Sequence, residues 1–572
     1  MRRPATALDA LAALSREHGV YGALYRGVEV LTPCCVVESG ELRLQPAPLS
    51  LPMDDLVNPD CPWFNVVTEV SMRPADPAHR EVLGKLPSCL TTVTGQCTEV
   101  DHEELADLGS RIKTLKQLIN LTLHLRGAEI DGKALSDFGS DLLPLRQLAA
   151  LGLELESPKI NSEGLVGFGG HLATLTKLNN LRLKLPETAV NGEGLVAFGG
   201  HLQLLENLQH LNLDLGGNCI DSDGLIGFGC HIKALRKMTT LELQLRGNNI
   251  EGDGLVGFGK HLKELQGLST LELLLRGNKI ETPGVVGFGA HLKALGKLSK
   301  LALDVQGNCI EGDELAGFGG HLKNLSNITN LTLDMQKTNV GDVGAALIGQ
   351  NIGFCRRLTQ VNLNFSALLS RTSTVGDNAA AALGEGLGRC DGLRSVTLML
   401  LGTRVGDSGA AAIGSGLAKC TELNEVELNF FGTEVGDAGA AAIGEALGRC
   451  CALSSVNLWF AQTKVGDQGS QAIGTGIGHC NGMKSVALGF QCSRVGDPGA
   501  AAIGRGLRAC KHLTTVQVEL AATRVGETGA TALAEGLKSC TSLKFSFKGK
   551  RLEASDREAV VEALAELYSA PH

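Results

Sequence analysis

The sequence predicts an α/β solenoid, in which short parallel strands alternate with short helices in a stacked array. The first observation is a fixed repeat, because the segment 241–270 matches the segments 211–240, 271–300 and 301–330 when it is shifted by thirty residues. Within 241–270, apolar residues recur first at every second position and then at every third or fourth position. The first spacing is typical of a strand, the second of a helix, and a repeat of this length is typical of stacked architectures.

One unit contains a strand, a turn and a helix, in that order. Leu241, Leu243 and Leu245 alternate with polar residues and predict a strand with one buried face. Gly247 and Asn248 predict the turn that follows it. The apolar residues of the helix are Leu255, Phe258, Leu262 and Leu265. Because neither element can bury its apolar face alone, the units must stack on one another.

The strand and the turn resemble the signature of leucine-rich repeats. The residues that carry this signature are Leu268, Leu271, Leu273, Asn278 and Ile280. The helical half, and the segment 405–420 (VGDSGAAAIGSGLAKC) in particular, is similar to the ribonuclease-inhibitor-like class. The resemblance begins near Leu86 and extends to the C-terminus. It implies a curved solenoid with parallel strands on its concave face and helices on its convex face.

Four segments are predicted along the chain. Residues 1–85 lack the repeat, and we interpret them as a non-repeat N-terminal cap over the open end of the array, with a small docking region as the alternative. Residues 86–340 and 341–552 are a first and a second repeat sub-array, because the repeated motif changes near Val340. Residues 553–572 predict a C-terminal capping helix with one polar face.

The repeat length changes at one place. Strand starts are thirty residues apart up to Val361, but the next start, Val396, lies thirty-five residues further along. The five additional residues fall within 366–374, which predicts a longer loop after a strand. A plain insertion and a loop that contacts a partner both fit this pattern.

Composition and charge argue against several classes of function. The 572-residue chain has a net charge of -9 and no basic stripe, so we expect no nucleic-acid partner. It has no apolar run long enough for a membrane span. Seven of the 17 cysteines stand where earlier units have leucine, which predicts buried thiols in a reducing compartment. These seven are Cys355, Cys390, Cys420, Cys450, Cys480, Cys510 and Cys540.

Three recurring features look like chemical sites, and we interpret all of them as structural. A histidine column is expected to complement helix C-termini rather than to bind a metal. An aspartate column is expected to cap the helix that follows each aspartate. The segment 254–261 is close to a phosphate-binding loop but lacks its Ser or Thr. The two columns are His171, His201, His231, His261, His291 and His321, and Asp342, Asp377, Asp407, Asp437, Asp467 and Asp497. We expect no catalytic residue, cofactor or metal.

The predicted binding surface lies on the concave face of the second sub-array. Alternate strand residues point away from the core. On three consecutive strands these residues include Met399, Leu401, Phe431 and Trp459, flanked by Asn429 and Asn457. Apolar clusters with polar rims are typical of interaction sites. We expect Leu401 to touch Phe431 and Trp459 to lie diagonally beside Phe431, while coverage by another segment of the chain is the alternative.

The leading functional prediction is a non-enzymatic scaffold or adaptor that binds a protein partner through the concave face. The resemblance also implies two alternatives. One is a GTPase-activating protein of the ribonuclease-inhibitor-like repeat type, for which Arg371 in the longer loop is the candidate residue. The other is a structural subunit of a cytoskeletal or ciliary assembly. The expected location is cytoplasmic, and the partner and the oligomeric state are open at this point.

Overall fold

The structure of the protein is a computed structural model. It describes residues 28–32, 35–38, 41–44, 69–72, 91–98, 100–126, 129–367, 374–537, 542–547 and 550–554. The chain forms two compact units. The first contains Met1–Ile250 and Lys260–Leu268, and the second contains Glu251–Gly259 and Ser269–His572.

In the first unit, parallel strands alternate with helices from β5 onward. The strands are β1 (Val28–Thr32), β2 (Cys35–Glu38), β3 (Glu41–Leu44), β4 (Glu69–Met72), β5 (Thr92–Thr98), β6 (Asn120–Arg126), β7 (Ala150–Leu155), β8 (Asn180–Lys184), β9 (His210–Asp214) and β10 (Thr240–Gln244). The helices are α1 (His102–Ile112), α2 (Gly132–Asp141), α3 (Ser162–Leu172), α4 (Gly192–Leu202) and α5 (Ser222–Ile232). From β5 to β10 each strand pairs in parallel with the next, whereas β1, β2 and β3 pair antiparallel. Helix α6 (Gly252–Leu262) contains residues of both units.

The second unit continues the same alternation. Its strands are β11 (Thr270–Leu274), β12 (Lys300–Asp304), β13 (Glu311–Gly312), β14 (Asn330–Asp334), β15 (Asn339–Val340), β16 (Gln360–Asn364), β17 (Ser395–Met399), β18 (Glu425–Asn429), β19 (Ser455–Trp459), β20 (Ser485–Gly489), β21 (Thr515–Glu519), β22 (Ser542–Phe547) and β23 (Lys550–Ala554). Its helices are α7 (Thr282–Leu292), α8 (Ala316–Leu322), α9 (Asp342–Ile352), α10 (Asp377–Leu387), α11 (Asp407–Leu417), α12 (Asp437–Arg449), α13 (Asp467–Gly478), α14 (Asp497–Ala509) and α15 (Glu527–Glu535). The long strands pair in parallel from β11 to β22, and β23 returns antiparallel to β22.

The predicted fold class is confirmed, because each repeat buries one face of its strand against its helix. Leu241 and Leu243 are buried while the residues between them are half-buried, as the two-residue spacing predicts. On the helical side, Phe228 of α5 is buried in the first unit and Ile413 of α11 in the second. The core therefore lies between a layer of strands and a layer of helices. We call the strand face that points away from the helices the open face.

Glycine allows the helices of the second unit to pack with their backbones in contact. A Cβ added to Gly416 of α11 would lie 1.9 Å from the carbonyl oxygen of Gly384 in α10. A Cβ added to Gly476 of α13 would lie equally close to the carbonyl oxygen of Gly444 in α12. Any larger residue at these two positions would push the helices apart. The first motif has histidine at the equivalent position, as at His261.

The longer repeat is placed where the sequence predicts it. Val361 pairs with Val396, so the additional residues lie between β16 and α10. The loop residues 368–373 lie outside the described residues, as do residues 555–572 and most of 1–85. The N-terminal cap, the C-terminal capping helix and the boundaries at residues 85, 340 and 552 stay predictions.

Candidate partner-binding surface

The predicted binding residues lie together on the open face of β17, β18 and β19. Met399 is paired with Asn429, and Asn429 with Trp459, so these three side chains form one row across the strands. The next outward-facing residues are Leu401 and Phe431. The amide of Gly402 donates to the carbonyl of Phe431 at 2.8 Å, and this hydrogen bond places Leu401 beside Phe431. We call Met399, Leu401, Phe431 and Trp459 the aromatic strip. All four side chains are half-buried and keep part of their surface exposed.

A stack of phenylalanines supports the strip from the core side. Phe430 and Phe460 have ring centroids 5.4 Å apart, and Phe460 and Phe490 have centroids 5.9 Å apart, both with nearly parallel planes. All three rings are fully buried. Phe430 precedes Phe431 in the chain and Phe460 follows Trp459, so the packed stack fixes the backbone that carries both exposed rings.

Trp459 turns toward β20, which the sequence analysis did not predict. The register does place Trp459 diagonally to Phe431, but no ring contact joins the two among the described aromatic residues. Instead, a Cβ added to Gly489 would lie 2.1 Å from Cε3 of Trp459. The indole therefore lies across the backbone of Gly489, where any side chain would displace it. A glycine directly opposite a tryptophan on the next strand is the sequence signal for this arrangement.

The two asparagines of the predicted rim have different roles. Oδ1 of Asn429 accepts a hydrogen bond from the amide of Phe431 at 3.0 Å, so Asn429 fixes the end of its own strand. Nδ2 of Asn457 donates to Oε1 of Glu427 at 2.7 Å. Oδ1 of Asn457 is buried and has no hydrogen-bond partner among the described residues. Burial raises the pKa of Glu427, although hydrogen bonds with Thr397 and Asn457 act in the opposite direction.

A second carboxylate lies on the other side of Trp459. Nε2 of Gln491 and Nε2 of Gln517 both donate to the carboxylate of Glu519, the latter at 2.8 Å. Oε1 of Gln491 is buried and has no partner among the described residues. Sequence analysis missed Glu427, Gln491 and Glu519. Their signal is their outward-facing position, since Gln491 and Glu519 align with Phe431 and Trp459, and Glu427 aligns with Asn457.

The aspartate column caps helices, but not the helices that the sequence analysis assigned. Asp407 is the first residue of α11 and makes no capping hydrogen bond to that helix. Its Oδ1 instead accepts from the amides of Gly436 and Gly439, both at 2.7 Å, at the start of α12 in the next repeat. Asp437 and Asp467 repeat this arrangement. The prediction of capping within one repeat is wrong here. Glycine occupies the N-cap position, and its amide donates to the aspartate of the preceding repeat.

The histidine column contacts neighbouring repeats and their lysines. Nδ1 of His231 lies 3.2 Å from Oε1 of Gln203. Burial lowers the pKa of His261, and nearby Lys233 and Lys260 lower it further. Burial and nearby lysines likewise lower the pKa of His321. Among the described residues, no group of three or more His, Cys, Asp or Glu side chains is arranged to hold a metal ion.

The remaining candidates fall in regular structure or outside the described chain. Residues 254–261 lie inside α6, so their amides belong to a helix rather than to a loop around a phosphate. Arg371, the candidate for GTPase activation, lies outside the described residues. No helix in the described ranges has the length and apolarity that a membrane crossing requires.

Two of the repeats match leucine-rich repeats. A family model described as Leucine Rich repeat matches residues 207–229 and 237–259. The first match contains β9 with part of α5, and the second contains β10 with part of α6. The same strand, turn and helix recur in the described repeats of each compact unit. Membership of the ribonuclease-inhibitor-like class stays a prediction.

Three solved structures are similar to this chain at low sequence identity. A leucine-rich repeat protein of Leptospira interrogans is 14% identical, with 81% of this chain and 94% of that chain covered and a TM-score of 0.46. TLR13, solved as a complex with ssRNA13, is 13% identical, with coverages of 82% and 64% and a TM-score of 0.36. An internalin C2 of Listeria monocytogenes is 14% identical, with coverages of 45% and 84% and a TM-score of 0.26. No curated protein matches the chain. These likenesses carry no argument about a partner.

Proposed function

We propose that the protein is a non-enzymatic scaffold that binds a protein partner on the aromatic strip. The observation that carries this proposal is the contiguity of four half-exposed apolar side chains on the open face, on strands whose backbone is held by a buried phenylalanine stack. Tryptophan and phenylalanine in such a setting are frequent anchors of protein interfaces. A leucine-rich repeat fold supports a binding role rather than a catalytic one.

The rigidity of the strip supports tight and selective binding. Parallel strand pairing and the phenylalanine stack fix the backbone before a partner arrives, so little backbone entropy is lost on association. The exposed parts of Phe431 and Trp459 provide the apolar area, and Asn429 limits movement of the strand end between them. Each anchoring ring is expected to contribute about 2 kcal/mol or more to the free energy of binding.

The cysteines support an intracellular location. Cys219, Cys230, Cys309, Cys451 and Cys492 are free and exposed. Exposed free thiols persist in reducing compartments and are oxidised in secreted proteins. We therefore place this scaffold in the cytoplasm. Mass spectrometry of the protein from native extract without added reductant should find these five thiols unmodified, and disulfides among them would contradict the placement.

The binding surface can be tested by site-specific photocrosslinking. A benzophenone amino acid at position 401 lies on the strip, whereas the same group at the exposed position 415 of α11 lies on the helical side. In native extract, we expect position 401 to crosslink one or few proteins that position 415 does not capture. The additional change of Phe431 and Trp459 to alanine should remove these crosslinks.

A matched control excludes a general loss of folding. Phe354 is 57% exposed and lies outside the strip, so Phe354→Ala removes a ring of the same kind from another surface. The crosslinks from position 401 should survive this change. Circular dichroism should show that all variants are folded. Crosslinks that survive the loss of Phe431 and Trp459 would place the binding surface elsewhere.

A further inference from the structure

The open face around the aromatic strip carries negative charge without compensating positive charge. Among the described outward-facing residues from β16 to β21 there are three carboxylates and neither lysine nor arginine. The three carboxylates are Glu425, Glu427 and Glu519. No ion pair joins any of them to another described residue. A partner that approaches this face therefore encounters acceptors and negative potential beside the apolar rings.

At two other places on the open face, a lysine pairs with a carboxylate of the chain. In the first unit, Glu154 lies 2.9 Å from Nδ1 of His124 and 3.3 Å from Nζ of Lys184. In the second unit, Glu272 lies 3.2 Å from Nζ of Lys300. Lys184 and Lys300 each come from the strand adjacent to the carboxylate that they pair with. The carboxylates beside the aromatic strip make no such ion pair with another described residue.

Around Glu427, hydrogen-bond acceptors outnumber hydrogen-bond donors. Asn457 donates one hydrogen bond to Glu427 through Nδ2, but its own Oδ1 is buried without a described partner. Because that oxygen is enclosed by the protein, the acceptor that a partner can reach here is the half-buried carboxylate of Glu427. A lysine or arginine side chain supplies several donors together with the positive charge that Glu427 lacks.

Hydrogen-bond acceptors also outnumber donors on the other side of the indole of Trp459. Glu519 lies on the same row as Trp459 and Gly489. The indole lies across Gly489 and therefore extends toward Glu519. Oε1 of Gln491 is a further acceptor without a described partner. A cation placed over the indole near Glu519 would gain both the attraction of the aromatic face and a charged hydrogen bond.

We infer that the partner presents a basic segment, in which an arginine or lysine side chain lies against Trp459 and pairs with Glu427 or Glu519, next to an apolar side chain on Leu401 and Phe431. This inference rests on the proposed function and adds the chemistry of the partner. An acidic segment would bring like charges together without counterions on this face. A purely apolar segment would leave the half-buried carboxylates of Glu427 and Glu519 without a positive charge.

Selection of displayed peptides tests the inference. Random twelve-residue peptides on phage are selected on the full chain, and binders that also bind the Phe431→Ala/Trp459→Ala variant are removed. The remaining peptides are synthesised with a fluorescent label, and their affinity is measured by anisotropy. We expect them to contain arginine or lysine near an apolar residue. Replacement of that arginine by citrulline should weaken binding about tenfold or more.

Charge variants of the protein provide the matched comparison. Glu427→Gln/Glu519→Gln removes both carboxylates that flank the indole, and we expect it to weaken binding of the basic peptides about tenfold or more. Glu422→Gln/Glu445→Gln changes the net charge equally at exposed positions away from the strip and should leave binding unchanged. Binding to the wild-type chain should also weaken as salt is raised.

The outcomes separate the inference from the proposed function. Peptides that need Phe431 and Trp459 but are neutral or acidic, or that bind the Glu427→Gln/Glu519→Gln variant equally well, would overturn the basic partner and leave the binding surface in place. If no selected peptide depends on Phe431 and Trp459, the basic partner is overturned together with the surface that it needs.

Discussion

Six of the cysteines in the repeated column act as small buried donors. Sγ of Cys420 donates to the carbonyl of Leu387 at 3.4 Å, and Sγ of Cys480 donates to the carbonyl of Leu447 at the same distance. Both carbonyls belong to the last turn of the preceding helix, and each also accepts from a backbone amide, that of Cys390 or of Cys450. Leucine in the first sub-array fills the same position but cannot donate. Burial raises the pKa of Cys420 and Cys480 to about 12. The buried members of the column are Cys355, Cys390, Cys420, Cys450, Cys480 and Cys510.

The native protein should therefore show two classes of thiol. A rise in pKa from 9.0 to about 12 lowers the thiolate fraction of Cys420 by roughly a thousandfold, and burial also blocks access. With iodoacetamide at pH 8, we expect rapid modification of the exposed Cys451 and Cys492 and none of Cys420 or Cys480. Peptide mass spectrometry measures each site, and all four should react in guanidinium. Equal rates at Cys420 and Cys451 in the native protein would contradict the buried column.

Four turns of the second unit hold a left-handed residue other than glycine, and three of these turns follow the glycine turns at Gly402 and Gly432. Gly402 and Gly432 have φ values of 71° and 67°. At the equivalent position of later repeats, Gln462, Cys492 and Ala522 have φ values between 54° and 57°. A residue with a Cβ costs about 1 to 2 kcal/mol in this conformation, so these three turns are strained relative to the glycine turns.

Substitutions at Gly432 and at Gln462 should change stability in opposite directions. A Cβ at Gly432 has room, since its nearest neighbour is 4.0 Å away. Gly432→Ala should therefore cost only the conformational strain, about 1 kcal/mol. Gln462→Gly relieves that strain but increases the freedom of the unfolded chain, so we expect a gain of about 0.5 kcal/mol. Urea denaturation measures both, and a stabilising Gly432→Ala would show that the turn is not strained.

The helices of the second sub-array depend on the repeat that precedes them. Oδ1 of Asp377 in α10 accepts from the amides of Gly406 and Gly409 at 2.7 and 3.0 Å, and Ser408 donates to the same carboxylate. These amides begin α11. Burial alone raises the pKa of Asp377, but the hydrogen bonds from Ser408, Gly406 and Gly409 outweigh burial, and the pKa is lowered.

This cap should give a pH-dependent stability. Because the pKa of Asp377 is lower in the folded state than its ordinary value of 3.8, its charge stabilises the fold above that pH and ceases to do so as pH falls through the folded pKa. Asp377→Asn should lower the free energy of unfolding by about 1 kcal/mol at pH 7. The difference from the wild type should shrink as pH falls below 3.8 and vanish only below the folded pKa.

Chemical denaturation followed by circular dichroism at pH 7 and at pH 3 measures this difference. The control is Asp391→Asn, since Asp391 is exposed in the turn after α10. Asp391→Asn should leave stability nearly unchanged at both pH values. A loss for Asp377→Asn that is the same at pH 3 and pH 7 would show that the charge of this carboxylate does not stabilise α11.

The order of strands and helices could be predicted because one period, with a single longer step, governs the chain from near Leu86 onward. A thirty-residue step combined with two-residue alternation also fixes the strand register, so the row of Met399, Asn429 and Trp459 could be predicted. The direction of the indole of Trp459 could not be predicted, because it depends on the space above Gly489. The helix that Asp407 caps could not be predicted either. It belongs to the next repeat, and its choice depends on how far neighbouring helices are offset from each other.

The division into compact units was not predictable from the repeat motif. The units divide within residues 250–269, where the repeat is regular, whereas the motif itself changes near Val340. A motif records which residues fill equivalent positions in each repeat. It does not record how strongly one repeat packs against the next, which is the property that defines a compact unit.

Because each repeat contacts mainly its neighbours, energetic coupling within the second unit should extend over one repeat only. The buried rings of Phe430, Phe460 and Phe490 provide the test, since Phe460 stacks on both of the others at 5.4 and 5.9 Å. We expect double-mutant cycles with Phe→Leu changes to give coupling energies of about 0.5 to 1.5 kcal/mol for the pairs 430/460 and 460/490.

The pair Phe430 and Phe490 is the internal control, because one repeat separates the two rings. Their Phe→Leu changes should add to within about 0.5 kcal/mol when the free energy of unfolding is measured by urea denaturation. A coupling for this pair as large as for Phe430 and Phe460 would mean that the rings act as one cooperative column. In that case a substitution under the aromatic strip would be transmitted across several repeats, and the strip could not be treated as a local surface.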